Sequence, residues 1–175
     1  MKKIPAAVRK KAAKIKLLLL DVDGVLTDGR IIIDDRGVEA KFFHVRDGQG
    51  ISLLMRAGIE VGFLTARSSS AVRHRARDLG VRLVFQGVQN KLQTYETIKQ
   101  KARLKDEQIA YVGDDFIDLP VLRRVGLAIS VRDGWSELTN SVDHVTTAKG
   151  GKGAVREVAE LLLKARGRWS KLTTP

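Results

Sequence analysis

The stretch LLLLDVDGVLTDG, residues 17–29, determines the fold of this chain. Four consecutive leucines before a charged residue are typical of a parallel strand buried on both faces. Three aspartates, Asp21, Asp23 and Asp28, follow directly. Carboxylates gathered at the carboxyl end of a strand repel one another unless a cation holds them, and open α/β sheets bind ligands at that end. The stretch therefore predicts a cation site at the edge of a parallel sheet, whereas Asp28, in TDG, is typical of a turn.

Apolar strand patterns alternate with helical patterns along the rest of the chain, which indicates βαβ units. The predicted strands are 16–20, 59–64, 82–85, 109–112, 126–129 and 143–145. The predicted helices are 48–57, 69–79, 89–102, 115–124 and 152–166. We expect an α/β, Rossmann-like three-layer fold with a parallel central sheet.

One segment interrupts this alternation. RIIIDDRGVEAKFFHVRDG, residues 30–48, is rich in strand-forming residues and has a turn sequence at 34–37, which predicts a β-hairpin protruding directly after the first strand. An isolated hairpin is marginally stable in water, and residues 31–33 place isoleucine on both of its faces. We therefore expect another surface to cover the hairpin, and self-association is the simplest way to do so.

The net charge of +12 is concentrated at the two ends of the 175-residue chain. Residues 1–16 carry seven Lys or Arg and residues 164–175 carry four, without an acid in either segment, whereas 17–163 holds 21 basic and 20 acidic residues. This distribution predicts a basic tail at 1–15, a single domain at 16–166 and a second basic tail at 167–175. A nucleic-acid-binding face is disfavoured, because aromatic residues amount to only 5%.

Composition excludes several classes of protein. No apolar run approaches the roughly 18 residues that a membrane span needs, and the basic start is followed by too short an apolar run for a secretory signal. The absence of cysteine excludes disulfides, thiolate metal sites and cysteine nucleophiles. A cytoplasmic location fits these features.

Four short motifs stand at predicted strand ends or helix starts. They are DVDGVLTDG from Asp21, FLTARSSS with Thr65, GVQNKL with Lys91, and YVGDDFID with Asp114, Asp115 and Asp118. Each motif alone is weak, but their order on an α/β pattern resembles that of the haloacid dehalogenase superfamily of phosphotransferases. Residues 30–64 have room only for the hairpin and one helix, so we expect no cap domain.

The resemblance implies phosphate monoester hydrolysis, among the slowest of uncatalysed reactions. Asp21 would be the nucleophile that forms an aspartyl-phosphate. Asp23 would be the general acid for the leaving alcohol and then the base for water. Thr65 and Lys91 would hold the transferring phosphoryl group.

The resemblance also implies a Mg²⁺ cofactor, because this hard cation prefers oxygen ligands. The implied ligands are Asp21, the backbone carbonyl of Asp23, and Asp114. Asp115 and Asp118 are candidates for the outer shell, and Asp118 could equally hydrogen-bond the loop.

Longer segments resemble the 3-deoxy-D-manno-octulosonate 8-phosphate (KDO 8-phosphate) phosphatase family, which acts in lipopolysaccharide precursor synthesis. The matching segments are DVDGVLTDG, FHVRDGQGI, GIEVGFLTARSS, FQGVQNKL, YVGDDFIDLPVLRRVGLAISV and GGKGAVREVAELLL, within residues 16–163. The resemblance implies a Mg²⁺-dependent phosphatase and a homotetramer in which the 30–44 hairpins pair. A neighbour's C-terminal tail, 167–175, would approach the active site.

Substrate contacts implied by this family come from two parts of the chain, besides Asp23 and Lys91. They are His44, Val45, Arg46, Asp47 and Gly48 in HVRDG, together with Arg67 and Arg75. An arginine fork matches the carboxylate of a sugar acid bidentately, although Arg75 could equally belong to a basic helix face and Arg46 could pair with an acid at a subunit contact.

Three residues depart from the family pattern. Gln49 stands where an aromatic residue is frequent, Ser52 where arginine is common, and Ala66 where glycine is usual. Gln49 and Ser52 bear on the substrate rather than on phosphoryl transfer. A related nine-carbon sugar acid phosphate therefore stays open as the substrate, and a non-catalytic binding module of the same fold is the alternative of a different class.

Overall fold

The first strand forms the centre of the structure, a computed structural model that describes residues 4–173. Strand β1 (Leu17–Leu20) has all four leucines buried. Because side chains alternate along a strand, Leu18 and Leu20 pack into one apolar cluster and Leu17 and Leu19 into another. The sheet therefore has a core on each of its faces, as the leucine run predicts.

The central sheet has six parallel strands, as expected. The other five are β4 (Glu60–Leu64), β5 (Leu83–Phe85), β6 (Ile109–Gly113), β7 (Leu127–Ser130) and β8 (His144–Val145). In space the order is β5, β4, β1, β6, β7, β8. After β1, the chain adds β4 and β5 on one side of it, and then crosses to the other side, where it adds β6, β7 and β8.

Helices cover both faces of the sheet and complete three layers. One layer packs on the cluster that contains Leu18 and consists of α1 (Ala6–Ala13), α2 (Val45–Arg56), α3 (Ser70–Leu79) and α6 (Ala154–Ala165). The other consists of α4 (Lys91–Ala102) and α5 (Leu119–Leu122). Short 3₁₀ turns lie at Asp106–Gln108, Phe116–Asp118 and Ser136–Asn140. Helix α5 is shorter than the predicted 115–124, because a 3₁₀ turn forms its first part.

The predicted hairpin is present as a separate two-stranded sheet. Strand β2 (Ile32–Ile33) pairs antiparallel with β3 (Glu39–Ala40). The side chain of Asp34 closes the turn by accepting hydrogen bonds from the N–H groups of Arg36 and Val38, at 3.0 and 2.7 Å. Between β1 and β4 the structure describes only this hairpin and α2, so no cap domain covers the sheet edge here.

The basic N-terminal segment, predicted as a tail, contains a helix that packs on the domain. Helix α1 packs against α6, and Val8, Ala12 and Ile15 are buried in the core. The sequence analysis did not predict this helix, because lysine and arginine side chains dominate the pattern of the segment. Three small or branched apolar side chains are nevertheless enough to pack the segment on the domain. The first three residues of this predicted tail lie outside the described range.

The C-terminal segment also contains a helix, α7 (Trp169–Thr173). Trp169 packs on α6, with the Arg156 guanidinium 5.0 Å and the Lys164 ammonium 5.2 Å from its ring centre. Residues 174 and 175 of the predicted tail are outside the described range. Within 4–173, no helix has the length and apolar character to cross a membrane.

Candidate active site

The candidate site lies where the sheet order reverses between β1 and β6. Asp21 follows β1 directly, and its N–H donates to the Val112 carbonyl of β6 at 3.0 Å. Asp114 follows β6 directly. Parallel strands end at one edge of the sheet, so this pairing brings the two carboxylates together at the crevice where such sheets bind ligands.

Three carboxylates form a cluster at this edge. Asp21, Asp114 and Asp118 each offer an oxygen that lies within 4.8 Å of the others. Burial raises the pKa of both Asp21 and Asp114 above the usual carboxyl range, and the repulsion between their charges adds to this effect for Asp114. Such a donor set fits a hard divalent cation, whose charge would remove the repulsion.

Gly24 leaves room for this cluster. A Cβ atom at position 24 would lie 2.0 Å from Oδ2 of Asp114. The residue also has a φ of +95°, a backbone conformation that residues with a side chain rarely adopt. The glycine of the first motif therefore allows the Asp114 carboxylate to approach the loop that carries Asp21 and Asp23.

Lys91 reaches the cluster from the first turn of α4. Its Nζ donates to Oδ1 of Asp21 at 2.8 Å and to Oδ1 of Asp118 at 2.6 Å, and its side chain is 3% exposed. Burial alone would lower the pKa of Lys91, but the charges of Asp21 and Asp118 outweigh it and raise the pKa. Lys91 is therefore a cation held beside the candidate nucleophile.

Asp118 holds the loop that carries Asp114. Its Oδ2 accepts hydrogen bonds from the N–H groups of Asp114 and Asp115 at 3.0 and 3.2 Å. Its Oδ1 accepts from Lys91 and from the Tyr111 hydroxyl, which donates at 2.6 Å. Loop hydrogen bonding, one of the two expectations for Asp118, is therefore present, and its oxygens also lie within the carboxylate cluster. Asp115 is exposed and accepts from the N–H of Phe116 at 2.7 Å.

Thr65 follows β4, one strand further along the sheet. Its N–H donates to the Phe85 carbonyl of β5 at 3.0 Å, and the residue is 2% exposed. The N–H of Arg67 donates to the Thr65 hydroxyl oxygen at 3.3 Å. Thr65 is thus fixed at the same edge of the sheet as Asp21.

Asp23 has partners that sequence reasoning missed. The ammonium of Lys41 donates to Oδ1 of Asp23 and lies 3.2 Å from Glu39. Arg67 pairs with Glu39 at 3.0 Å, and its Nε lies 3.9 Å from Oδ2 of Asp23. The alternation of the hairpin arm places Glu39 and Lys41 on one face, but only the fold determines that this face meets Asp23.

Comparisons with known proteins agree with this geometry. Residues 83–158 match the family model of haloacid dehalogenase-like hydrolases. The chain is 46% identical over 165 residues to 3-deoxy-D-manno-octulosonate 8-phosphate phosphatase KdsC of Escherichia coli K12, covering 94% of this chain and 88% of that protein. The chain belongs to the KDO 8-phosphate phosphatase family.

Two solved structures are similar over nearly their whole length. The KDO 8-phosphate phosphatase of Moraxella catarrhalis, in complex with magnesium, phosphate and KDO, superposes with a TM-score of 0.92 at 41% identity and covers 94% of each chain. The cobalt-bound form of the Haemophilus influenzae phosphatase has a TM-score of 0.90 at 43% identity, covering 94% of this chain and 96% of that one. Both contain a divalent metal, in line with the fit of the carboxylate cluster here.

The residues predicted from this family as substrate contacts occupy different environments. Val45 is 81% exposed, and Arg46 is also exposed. His44 stands at the start of α2, and its Nδ1 is buried without a hydrogen-bond partner among residues 4–173. Arg67 is half-exposed beside Asp23. Arg67 therefore lies within ion-pair distance of the proposed general acid.

Arg75 and Gly48 lie against each other. A Cβ at position 48 would come 2.2 Å from Nη2 of Arg75, so Gly48 leaves space for the guanidinium. Arg75 also pairs with Asp78 at 2.6 Å and lies 5.8 Å from the ring centre of Phe43. Both readings of Arg75, substrate contact and helix-face residue, stay predictions.

Asp47, also predicted as a substrate contact, is buried and hydrogen-bonded within the protein. It is 1% exposed, and its two oxygens accept hydrogen bonds from the N–H groups of Gly153 at 3.2 Å and Arg156 at 2.7 Å. Burial raises the pKa of Asp47. Its carboxylate caps the N-terminus of α6, where backbone N–H groups lack partners within the helix. A contact of Asp47 with the substrate stays a prediction.

Proposed function

We propose that this chain hydrolyses KDO 8-phosphate to KDO and inorganic phosphate, in a Mg²⁺-dependent reaction, as a step of lipopolysaccharide precursor synthesis. The main support is that Asp21, Lys91 and Asp114 lie close together where the strand order of the sheet reverses. The chain is also 46% identical to the Escherichia coli phosphatase.

Phosphoryl transfer would begin with attack by a carboxylate oxygen of Asp21 on phosphorus. The bond between phosphorus and the sugar oxygen breaks, and Asp23 gives its proton to that oxygen. Asp23 then takes a proton from the water that attacks the aspartyl-phosphate, which releases phosphate and regenerates Asp21. Lys91 and Thr65 would hold the phosphoryl oxygens, and both are fixed by burial at the sheet edge.

Mg²⁺ would be held by Asp21, the backbone carbonyl of Asp23 and Asp114, with Asp118 supporting the loop. When bound, it supplies positive charge that offsets the repulsion between the Asp21 carboxylate and the phosphate dianion.

Recognition of the sugar acid is assigned to cationic groups near Asp23. Arg67 is the best-placed candidate because its guanidinium is half-exposed and close to Asp23. Arg46 and Arg75 are the further candidates. A nine-carbon sugar acid phosphate is the alternative substrate, since Gln49 and Ser52 depart from the family pattern.

A homotetramer is the proposed assembly, with the cytoplasm as its location. The hairpin exposes large apolar side chains that an isolated chain would leave in water, namely Ile31, Ile33, Val38 and Phe42. Contact between hairpins of several copies would cover them. A neighbour's C-terminal segment would also cover the open site in such an assembly.

The central test is the variant Asp21→Asn, assayed by phosphate release from KDO 8-phosphate with and without Mg²⁺. We expect a loss of kcat of at least about 10³-fold, because an amide cannot form the covalent intermediate. Asp35→Asn, in the exposed hairpin turn, is the matched control and should retain wild-type kcat. Near-normal turnover by Asp21→Asn would reject the assignment of the nucleophile.

Substrate choice is tested separately by kcat/KM of the wild-type protein. The kcat/KM for KDO 8-phosphate should exceed the values for nine-carbon sugar acid 9-phosphates, hexose 6-phosphates and nucleoside monophosphates. A preference for the nine-carbon ester would select the alternative substrate. No turnover of any ester in the presence of Mg²⁺ would favour the non-catalytic module.

A further inference from the structure

We propose that Lys41 is a positioning residue for Asp23: it fixes one carboxylate oxygen so that the other exchanges the proton with the leaving alcohol. This inference rests on the proposed function, in which Asp23 is the general acid. The β-hairpin, which otherwise contributes an apolar surface, would then also take part in catalysis.

Burial of Lys41 is the first observation. Its side chain is 1% exposed, although it directly follows β3 in a hairpin whose neighbouring Phe42 is 66% exposed. Lysine is almost never fully buried unless paired. A lysine that turns inward from an exposed hairpin is therefore held by specific partners.

Those partners are two carboxylates on different segments. The ammonium donates to Oδ1 of Asp23, in the loop after β1, and lies 3.2 Å from Oε1 of Glu39. Glu39 in turn accepts from Arg67, in the loop after β4, at 3.0 Å. Although burial by itself would raise the pKa of Glu39, its hydrogen bonds lower that pKa to about 2, so Glu39 stays charged. The four residues connect the hairpin with both loops at the sheet edge.

The two oxygens of Asp23 have different surroundings. Oδ1 is the oxygen bound by Lys41, whereas Oδ2 is buried and has no hydrogen-bond partner among residues 4–173. A buried oxygen without a hydrogen bond is costly in a folded protein, and the charged neighbour of Oδ2, Nε of Arg67, is 3.9 Å away. Oδ2 is therefore the oxygen available to carry the proton, and Lys41 restricts the rotation of the carboxyl group that would otherwise move it away.

The test compares two phosphate esters that differ in their need for a proton. The sugar acid is a poor leaving group as an alkoxide and needs a proton from the general acid, whereas 4-nitrophenyl phosphate releases 4-nitrophenolate, which is stable without a proton. We expect Lys41→Met to lower kcat/KM for the alkyl ester by about 10²-fold, the lower end of general-acid contributions, and for the aryl ester by less than about threefold. Lys41→Arg, which keeps a cationic donor, should recover part of the selective loss.

The matched control is Lys99→Met. Lys99 is also largely buried, with a side chain 14% exposed, and pairs with Glu96 at 2.6 Å and Asp106 at 2.8 Å, remote from the sheet edge. This variant should leave kcat/KM for both esters unchanged. Circular dichroism and thermal unfolding of each variant show whether it folds.

Two further results separate the possible failures. In the background of Asp23→Asn, Lys41→Met should cost no additional activity on the alkyl ester, because both changes remove one function. Equal losses on both esters, or full additivity in the double variant, would overturn the role of Lys41. If Asp23→Asn itself shows no selective loss on the alkyl ester, the general-acid assignment in the proposed function fails instead.

Discussion

At the scale of single residues, Glu157 shows how one carboxylate fixes a segment next to the site. It accepts hydrogen bonds from the N–H groups of Thr147 and Ala148, at 2.9 and 3.0 Å, and from the Thr147 hydroxyl at 2.8 Å. The same segment continues to Gly150, where a Cβ atom would lie 1.7 Å from the Gly24 carbonyl. Glu157 thereby holds this segment against the loop that carries Asp21 and Asp23.

Removal of the charge at position 157 should destabilise the fold in a pH-dependent way. Burial would raise the pKa of Glu157, but His144, with Nε2 3.8 Å from Oε1, and the hydrogen bonds from Thr147 and Ala148 outweigh it and lower the pKa from 4.5 to about 2. Since the folded pKa is depressed, the stabilisation is fully present above pH 4.5 and is lost as the pH falls towards 2. Glu157→Gln should lower the free energy of unfolding by about 1–3 kcal/mol at pH 7.

Urea unfolding at pH 7, 5 and 3 measures this effect. The difference between wild type and Glu157→Gln should shrink from pH 5 to pH 3. Glu137→Gln, at an exposed position, is the control and should change stability little. A difference that stays constant with pH would show that the charge of Glu157 is not responsible.

At the scale of elements, the contact between α2 and α6 positions the segment that follows the hairpin. Asp47 on α2 caps α6, and a Cβ at Gly50 of α2 would lie 3.1 Å from Cβ of Ala159 on α6. This close packing fixes the start of α2, where His44, Val45 and Arg46 stand. Asp47 therefore affects the site through the position of two helices.

Replacement of Asp47 distinguishes a capping role from substrate binding. Asp47→Ala should lower the free energy of unfolding by about 1–2 kcal/mol, the usual cost of a lost N-terminal cap. Asp47→Asn, which keeps one acceptor oxygen, should cost less. Thermal unfolding together with KM for KDO 8-phosphate provides the measurement. A large rise in KM without a change in stability would support the family-based prediction of a substrate contact instead.

At the scale of the whole molecule, the exposed hairpin is the feature that a single chain does not explain. Its apolar side chains stand on a two-stranded sheet outside both core clusters. Burial of apolar area is the main drive for association, and Lys41 links the same hairpin to Asp23. Assembly and catalysis are therefore expected to depend on one segment.

Phe42→Asp tests the role of the hairpin in assembly. Phe42 is 66% exposed in the single chain, so a charge at this position should not disturb the fold. Burial of the same charge in an interface would destabilise the assembly. Sedimentation velocity should show a tetramer for the wild type and smaller species for the variant. Phe116→Asp, at a position 61% exposed elsewhere on the surface, is the control. A tetramer that persists in Phe42→Asp would exclude the hairpin as the essential contact.

Local sequence patterns predict the elements of the sheet and the residues at their ends. Leu17–Leu20, the turn of the hairpin and the four motifs are local patterns, and parallel strands bring their carboxyl ends to one edge. The closeness of Asp21 and Asp114 could therefore be predicted without coordinates, whereas the place of Lys91 beside them was implied by the family resemblance.

The partners that these residues contact depend on the packing of distant segments. Three contacts join segments that are separated along the chain: Lys41 pairs with Asp23, Asp47 caps α6, and α1 packs on the domain. The sequence does not show in which direction the turns between these segments lead the chain. Periodicity states which side chains share a face of an element. It contains no information on what lies opposite that face, because this depends on the packing of the whole chain.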